Sequence, residues 1–562
     1  MLVFFVDIRL DFSIERKRSL YHLEILQYSG IFCVVCGNVE FWEAMKLISI
    51  IFVLVCCATL LHGADIASSA KQIDGIVDTH LHKTGIRPSE ICSDEVFVRR
   101  VYIDITGTLP TAAEARAFIE SEGQNKRAQL IDRLLHSEEF AMYQALKWCD
   151  LLRVKAEFPS NLWPNAVQAY HRWVLDAFRS NMPYDQFARA LLTTGGSNFR
   201  DAPVNFYRPF QKRTPRNIAA TVALIFMGVR LEHSGWSEDE LLGLDAFFGK
   251  IGYKKTAEWK EEIVYFDPMM KFTNSVTGEI MVPTPPGGKP LKLGELDDPR
   301  MAFADWLTAA DNPWFAKIIV NRIWNDLIGA GIIDPVDDIC ADNPPRSADL
   351  LRYLESEMVK NRYNIKYMYS IILNSDTYQR SAVAMQGNDK DFSGFSHYLV
   401  RRMDAEVLID AIGQVTGTHE KYSSAIPEPF TFIPEKKRSV ALADGSIKSP
   451  FLEMFGRPGR DTSYVSERNN GVSVFQSLHM LNASHIQNKI MRGPAIRKIL
   501  RSRKSPPQKI DELYLHILSR LPSEEEGAAI VKYRKTTGMK PYAVAYDLVW
   551  SLVNSKEFIL RH

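Results

Sequence analysis

The sequence predicts a mainly α-helical protein in which two helical domains are joined by a loop-rich segment with a little β-structure. Apolar residues recur at helical spacing along most of the chain. Thr111 and Glu114 form a capping box just before one such pattern, and the pattern changes character between residues 256 and 292. With 562 residues, 46% of them hydrophobic and 24% charged, the chain can bury several cores and has the composition of a globular protein.

The N-terminal region contains a secretory signal that does not lead the chain. Residues 45–63 combine Lys46, an apolar core over residues 47–61 and small residues at the end. Since a signal peptide must come first, we expect translation to begin at Met45 and residues 1–44 to be a mis-assigned extension. A membrane anchor with a short cytoplasmic tail is the alternative. We therefore expect an exported protein, periplasmic or on the cell surface, which contacts the membrane only if this segment is not cleaved.

The first domain is expected over residues 73–262, with a long surface loop at 194–208 that is rich in Gly, Ser, Asn and Pro. Its helical patterns cover residues 112–121, 126–135, 140–152, 173–178, 184–193 and 215–227.

Residues 263–292 are expected to form a linker with short strands. Strand patterns occur at 262–267 and 280–282, before a Pro- and Gly-rich stretch. The second domain is expected over residues 293–562, with an irregular segment at 427–461. Its helical patterns cover residues 299–307, 314–327, 347–360, 365–373, 404–415 and 472–481, and continue to the end of the chain.

Charge, cysteine usage and the absence of standard motifs narrow the function classes. A formal charge of +1 gives no reason to expect nucleic acid as a partner. Beyond residue 63 only Cys92, Cys149 and Cys340 remain, which allows at most one disulfide. No zinc-hydrolase, nucleophile-elbow, phosphate-loop or dinucleotide motif occurs. His80 and His82 lie in a helical pattern that points their rings apart, so we predict no metal site there.

Charged residues set in otherwise apolar helices are the candidate site. A buried charge must be paired or it costs several kcal/mol, so the first interpretation is a set of structural Arg–carboxylate pairs. The second is a cleft in which one carboxylate pair is free for acid–base catalysis. For that cleft the catalytic candidates are Asp337, Asp338 and Glu467. The substrate-binding candidates are Arg322, Arg468 and Trp324.

Long motifs in a fixed order resemble a family of secreted planctomycete-type proteins with two paired domains of unknown function. VRRVYIDITGTLPTAAEARAF, LIDRLLHSEEFA and KWCDLLR resemble the first domain. FADWLTAADNPWFAKIIVNRIWNDLIGAGIIDPVDDICADNPP, RRMDAEVLIDAI and FGRPGRDTSYVSERNNGVSVFQSLHMLN resemble the second. The family is associated with cytochrome-c-type haem motifs, and its neighbours include exported sulfatases and polysaccharide-degrading proteins. The resemblance thus implies a link to complex glycans by association.

The resemblance also implies cysteine motifs that this chain lacks. Where the family carries Cys-x-x-Cys-His, this chain has only His233, Ser234 and Gly235 between two matching segments. Where the family shows Cys-x-Cys just before the Glu-Arg of its second domain, this chain has Tyr464 and Ser466, before Glu467 and Arg468. Covalent haem c needs two thiols and an adjacent histidine, so we expect no covalent haem and predict no cofactor. His233 is interpreted as a loop residue.

Three functions remain as hypotheses. The first is an exported non-haem scaffold or binding protein whose partners are complex glycans or other exported proteins. The second is a glycan-directed hydrolase with paired carboxylates, which requires them to converge within about 5–10 Å in one pocket. The third is a redox protein with non-covalent haem or a metal bound by His171, His479 or His485.

Overall fold

The computed structural model describes residues 63, 65–392 and 395–562 and four strands near the N-terminus. The chain divides into two compact units, residues 1–66 and 67–562. In the first unit, β1 (Ile14–Arg16) pairs antiparallel with β2 (Ser19–Tyr21), and β3 (Ile25–Tyr28) pairs antiparallel with β4 (Ile31–Val34). The predicted signal peptide lies outside the described residues except for Gly63, so its assignment stays a prediction.

The second unit is mainly helical, as the sequence predicted. Its first half contains α1 (residues 67–84), α2 (Asp94–Thr106), α3 (Ala112–Glu120), α4 (Lys126–Leu135), α5 (Glu138–Leu151), α6 (Pro164–Arg179), α7 (Tyr184–Thr193), α8 (Pro215–Val222) and α9 (Glu238–Asp245). His80 and His82 lie in α1, which confirms the helical interpretation of that segment. A π-helical turn over Ala223–Met227 follows α8 directly.

The second half of this unit is also helical. It contains α10 (Pro299–Leu307), α11 (Phe315–Ile328), α12 (Ala348–Lys360), α13 (Ile365–Leu373), α14 (Asp376–Gln379), α15 (Ala405–Thr416), α16 (Pro450–Met454), α17 (Val474–Asn482), α18 (Ser484–Arg492), α19 (Pro494–Arg501), α20 (Pro506–Leu518), α21 (Glu524–Thr537), α22 (Pro541–Val553) and α23 (Lys556–Ile559). Short 3₁₀ turns occur at Ala202–Tyr207, Leu231–His233, Ala246–Phe248, Ser439–Ala441 and Val465–Glu467.

Two small antiparallel sheets complete the second unit. One has the order β5–β7–β6, formed by β5 (Gly196–Ser197), β6 (Ile251–Lys255) and β7 (Glu262–Phe266). The other pairs β8 (Arg401–Arg402) with β9 (Leu560–Arg561). The strand predicted at 262–267 is confirmed as β7. The strand predicted at 280–282 is wrong, because Ile280 makes a single isolated bridge to Thr273 and the ladder goes no further.

Local sequence explains where several helices begin and end. The Thr111 side chain accepts a hydrogen bond from the Glu114 amide and the Glu114 side chain returns to the Thr111 amide, which confirms the predicted capping box at α3. Ser137 caps α5 by accepting from the Phe140 amide. Gly329 ends α11 with φ of 101°, a conformation that side chains other than glycine rarely adopt.

The hydrophobic core crosses the boundary between the two predicted domains. One buried cluster joins Ile103 of α2 and Leu146 of α5 to Leu408 and Ile412 of α15. α2, α5 and α15 therefore pack as parts of one compact unit, and polar side chains of α5 lie opposite segments that are distant in sequence. This arrangement positions the site.

Candidate functional site

A cavity of about 420 Å³ lies where helices from both predicted domains meet. One face of α5 lines it, with Gln144, Lys147, Trp148 and Leu151 at positions i, i+3, i+4 and i+7. Side chains at this spacing share one face of a helix. Two of these four are polar, so α5 presents a mixed surface to the cavity where a buried helix normally presents an apolar one.

A second helix lines the cavity with the same spacing. On α11 the lining residues include Ile319, Arg322, Ile323 and Asp326. Other lining residues are Ile365 and Tyr369 of α13, Pro458, Tyr464, Val465, Arg468, Asn470 and Gly471 of the segment 458–471, and Arg401, Asp404 and Arg561 of the chain around β8 and β9. The cavity is thus built from parts of the chain that are hundreds of residues apart in sequence.

Arg468 links the segment 458–471 to α5 and to α15. One Nη donates to Asp150 at the end of α5 at 2.6 Å, and the other donates to Glu406 of α15 at 2.7 Å. Burial alone lowers the pKa of Arg468, but the adjacent Glu406, Asp150 and Asp404 outweigh it and hold that pKa well above the ordinary value. Arg468 is a permanent cation in the cavity wall, and carboxylates satisfy its charge.

Arg561 forms the centre of a second buried network. It donates to Asp104 at 3.2 Å, to Asp404 at 2.8 Å and to the Tyr143 hydroxyl at 2.8 Å. Burial raises the pKa of Asp404, but the attraction of Arg561, of Arg468 and of Lys147 outweighs it and holds that pKa well below the usual range. Asp404 is therefore ionised at any physiological pH and unsuited to donate a proton.

Arg322 and Arg401 both satisfy backbone carbonyls at helix ends. Arg322 donates to Leu224 O at 3.0 Å, at the π-helical turn, and to Asp337 at 2.7 Å. Arg401 donates to Asn325 O at 2.9 Å and to Leu327 O at 3.1 Å, at the C-terminal end of α11. Cations are favourable at this end of a helix, where carbonyl groups lack partners. These arginines hold the wall in place.

The side-chain amides of Gln144 and Asn470, two residues that line the cavity, use only part of their hydrogen-bonding capacity. Gln144 is 97% buried; its Oε1 accepts from the Tyr369 hydroxyl at 3.1 Å, and its Nε2 has no hydrogen-bond partner among the described residues. Asn470 donates through Nδ2 to Asp404 at 2.7 Å. Its Oδ1 is buried and accepts no hydrogen bond from any described residue. Lys147 contacts Asp326 at 3.0 Å nearby. Four residues that line the cavity thus each have one buried polar atom without a partner among the described residues: Gln144 Nε2, Asn470 Oδ1, Arg401 Nε and Arg561 Nε.

The predicted catalytic carboxylates occupy separate structural positions. Asp337 lies behind Arg322 and also accepts from the Val465 amide at 2.6 Å. Asp338 contacts His233 Nδ1 at 2.9 Å. Glu467 accepts hydrogen bonds from the backbone amides of residues 461 and 462, at 2.9 and 3.0 Å, and so stabilises the loop formed by residues 461–467. None of the three is a lining residue of the cavity.

The predicted binding residues divide in the same way. Arg322 and Arg468 line the cavity, where carboxylates already neutralise both, and their role in binding a substrate stays a prediction. Trp324 is fully buried in the core, where its ring meets Phe395 edge to face at 5.6 Å. The cavity residues that sequence reasoning missed include Gln144, Lys147, Asp326, Asn470 and Arg561. Polar residues within the helical stripes of α5 and α11 were the signal that identifies three of them.

The histidines named for a cofactor lie in different settings. Burial lowers the pKa of His171 to about 3, so it is neutral. His485 contacts Glu420 at 2.9 Å, and His479 packs edge to face on Phe451. Within the described residues, no three His, Cys, Asp or Glu side chains come together in a group that could hold a metal ion.

Tyr464 contacts the residues that come just before His233. The Tyr464 hydroxyl contacts Glu232 at 3.4 Å, and the Arg230 guanidinium lies over the Tyr464 ring at 4.9 Å. Residues 228–249 contain no cysteine, so the set that covalent haem c requires is missing beside His233. The described cysteines Cys92, Cys149 and Cys340 are all free thiols.

Two family models match the chain. Residues 72–233 match PSCyt2, a protein of unknown function (DUF1549), and residues 299–534 match PSD1, a protein of unknown function (DUF1553). No curated protein and no solved structure matches the chain. Among the described residues, no helix has both the length and the apolar character that crossing a bilayer requires.

Proposed function

The chain carries the paired planctomycete cytochrome C-associated domains DUF1549 and DUF1553, and from its own geometry we propose that it is an exported binding protein. Its ligand is a small hydroxyl-bearing molecule, a saccharide unit, held in the cavity between α5, α11 and α13. The observation that carries the proposal is that Gln144 and Asn470, which both line one cavity, each have a buried polar atom, Nε2 and Oδ1, without a partner among the described residues.

A buried polar group without a partner costs free energy, of the order of 1–3 kcal/mol. Buried polar groups in a native protein have a hydrogen-bond partner as a rule, and a ligand bound in the cavity would supply one. The cavity volume of about 420 Å³ lies within the range of small-molecule sites. A ligand that accepts from Gln144 and donates to Asn470 removes both penalties when it binds.

The chemistry of the wall favours a hydroxylated ligand. A hydroxyl group both donates and accepts hydrogen bonds, so it matches an amide donor and an amide acceptor. Lys147 and Asp326 supply a further donor and acceptor at the same cavity, and Trp148 contributes aromatic surface. The arginines of the wall already have carboxylate or carbonyl partners, so the ligand does not need to be an anion. The link to complex glycans that the family resemblance implies points to the same class of ligand.

Binding is a better explanation of this wall than hydrolysis. Glycoside hydrolysis needs one carboxylic acid with a raised pKa opposite a second, ionised carboxylate. Arg561 and Arg468 hold the pKa of Asp404 far too low for that acid. Asp150 is held by Arg460 and by Arg468. The geometry therefore does not favour the paired-carboxylate alternative.

The test is a titration of the purified protein with a panel of neutral, sulfated and uronic saccharides, followed by calorimetry. We expect at least one neutral saccharide to bind, and Gln144→Met to weaken it about 10- to 100-fold because the buried donor is lost. Gln129→Met, an exposed change on α4, is the matched control and should bind as the wild type does. The proposal fails if no saccharide binds, or if Gln144→Met binds with wild-type affinity.

A further inference from the structure

Helix α17 turns an apolar face to solvent. Val474, Phe475 and Leu478 of this helix are 73%, 78% and 48% exposed, whereas Gln476 and Met480 face the interior. A surface helix of a globular protein normally has the opposite arrangement. Together with exposed Val472 before the helix and Leu481 at its end, these side chains form an outward stripe (Val472, Val474, Phe475, Leu478, Leu481). An exposed apolar surface of this kind marks an interaction site.

The segment that carries this stripe is strongly basic. Residues 469–510 contain eight lysines and arginines and no aspartate or glutamate, in a chain whose net charge is only +1. Four of the cations, on or beside α18 and α19, are exposed and make no ion pair within the described residues: Arg492, Lys498, Arg501 and Arg503. Elsewhere in the structure most arginines form ion pairs with carboxylates, so the concentration of unpaired positive charge is confined to this segment.

An aromatic groove adjoins the stripe. Met491 of α18 and Tyr542, Tyr546 and Trp550 of α22 line a groove of about 570 Å³. The indole of Trp550 donates to Leu481 O at 3.3 Å, which joins the groove to the end of the stripe. Trp and Tyr, with an apolar ring and a polar tip, are enriched where proteins meet the lipid interface.

We propose that α17, α18 and α19 form a peripheral docking surface for a bilayer with anionic headgroups. The outward stripe enters the boundary between headgroups and acyl chains, and the unpaired cations bind lipid phosphates. A nucleic acid or an acidic polysaccharide neutralises the cations but leaves valine, leucine and phenylalanine in water. A protein partner requires charges fixed in a complementary geometry, whereas the four unpaired cations are on long side chains that no ion pair holds in place. This inference is independent of the saccharide site.

The experiment measures binding of the full chain to vesicles of phosphatidylcholine alone and of phosphatidylcholine mixed with phosphatidylglycerol. Co-sedimentation gives the affinity, and hydrogen exchange of peptides from residues 472–501 locates the contact. We expect exchange in this segment to slow with the mixed vesicles, and the preference for them to weaken at high salt. The exchange readout is specific to α17–α19, so it is distinct from any lipid affinity of residues 45–63.

Two variants separate the apolar and the ionic contributions. Phe475→Asp with Leu478→Asp should reduce vesicle binding at least tenfold, and both residues are exposed, so the fold should be retained. Arg492→Glu with Lys498→Glu should lower the preference for anionic vesicles by about fivefold or more per charge. Val276→Asp, at a residue 90% exposed on another surface, is the control and should change neither quantity.

Three outcomes overturn the proposal. One is unchanged hydrogen exchange in residues 472–501 when vesicles are added. Another is wild-type binding by the Phe475→Asp, Leu478→Asp variant. The third is slowed exchange with an acidic polysaccharide or a purified protein partner while vesicles have no effect. Wild-type saccharide affinity in all variants is expected, which keeps this test separate from that of the cavity.

Discussion

Replacing Arg561 with methionine removes the cation at the centre of a fully buried charge network. Asp104, Asp404 and Arg561 all have side chains that are at most 4% exposed. Arg561→Met keeps much of the side-chain volume but deletes the bonds to both carboxylates and to Tyr143. The carboxylates then remain buried without their principal counter-ion.

The expected loss of unfolding free energy is about 3 kcal/mol, the lower end of the range of about 3–5 kcal/mol for breaking a buried ion pair. The lower end applies because other partners remain. Asp104 still accepts from the Tyr378 and Tyr398 hydroxyls, each at 2.9 Å, and Asp404 still accepts from Asn470. Asp404→Asn in the Arg561→Met background should recover part of the loss, since it removes one uncompensated charge.

The pH dependence supplies a second, independent measurement. The folded-state pKa of Asp404 lies below its unfolded value, so its contribution to stability is present above about pH 4 and is lost as the pH falls through the folded pKa. The difference between wild type and Arg561→Met should therefore be largest near neutral pH and should shrink in acid.

Urea unfolding followed by tryptophan fluorescence measures both effects. Arg352→Met, an exposed arginine paired only with Asp349 on its own helix, is the control, and its unfolding free energy should change by less than about 0.5 kcal/mol. A loss below about 1 kcal/mol for Arg561→Met at neutral pH, or a difference that is the same in acid, would refute the reasoning.

Two further predictions concern titratable groups outside this network. Burial raises the pKa of Asp245 to about 6 despite its pairing with Arg216, so the folded state binds a proton between about pH 4 and 6. The contribution of Asp245 to stability therefore decreases as the pH rises through that window. Asp245→Asn should remove this component of the pH dependence of urea unfolding, and an unchanged pH profile would contradict the assignment. Burial also raises the pKa of the Cys149 thiol to about 12, so a disulfide reagent at about pH 8 should modify the more accessible Cys340 in the native protein and Cys149 only in urea. Peptide mapping distinguishes the two thiols, and modification of both at equal rates would show that Cys149 is accessible.

Sequence reasoning identified the fold class and part of the site for a local reason. Capping boxes, helical spacing and proline-rich breaks act within a few residues, so α3 begins after Thr111 where the sequence predicted. Charged residues in apolar helices pointed to Arg322 and Arg468, and both lie in the cavity wall. The charge alone did not reveal which carboxylates neutralise them. The partners of Arg468 are Asp150, 318 positions away, and Glu406.

The predicted catalytic carboxylates also show that the sequence does not reveal the partners of a charged side chain. Asp337, Asp338 and Glu467 stand near motifs that resemble a site, yet their partners give them three different structural tasks. Conversely, Gln144 lies outside the quoted motifs, and Asn470 lies within one of them but was not named as a candidate. They became candidates only when both were found in one cavity with unused hydrogen-bonding atoms.

By itself the sequence determined which segments are helices, where many of them start, the family motifs and the absence of cysteines beside His233. Only the tertiary structure decided which polar side chains meet, because hydrogen bonds and ion pairs depend on distances of a few ångströms between residues that are hundreds of positions apart. The same holds for α17. Its apolar residues are part of an ordinary helical pattern in sequence, and only the packing of Gln476 and Met480 inward shows that its apolar side faces solvent.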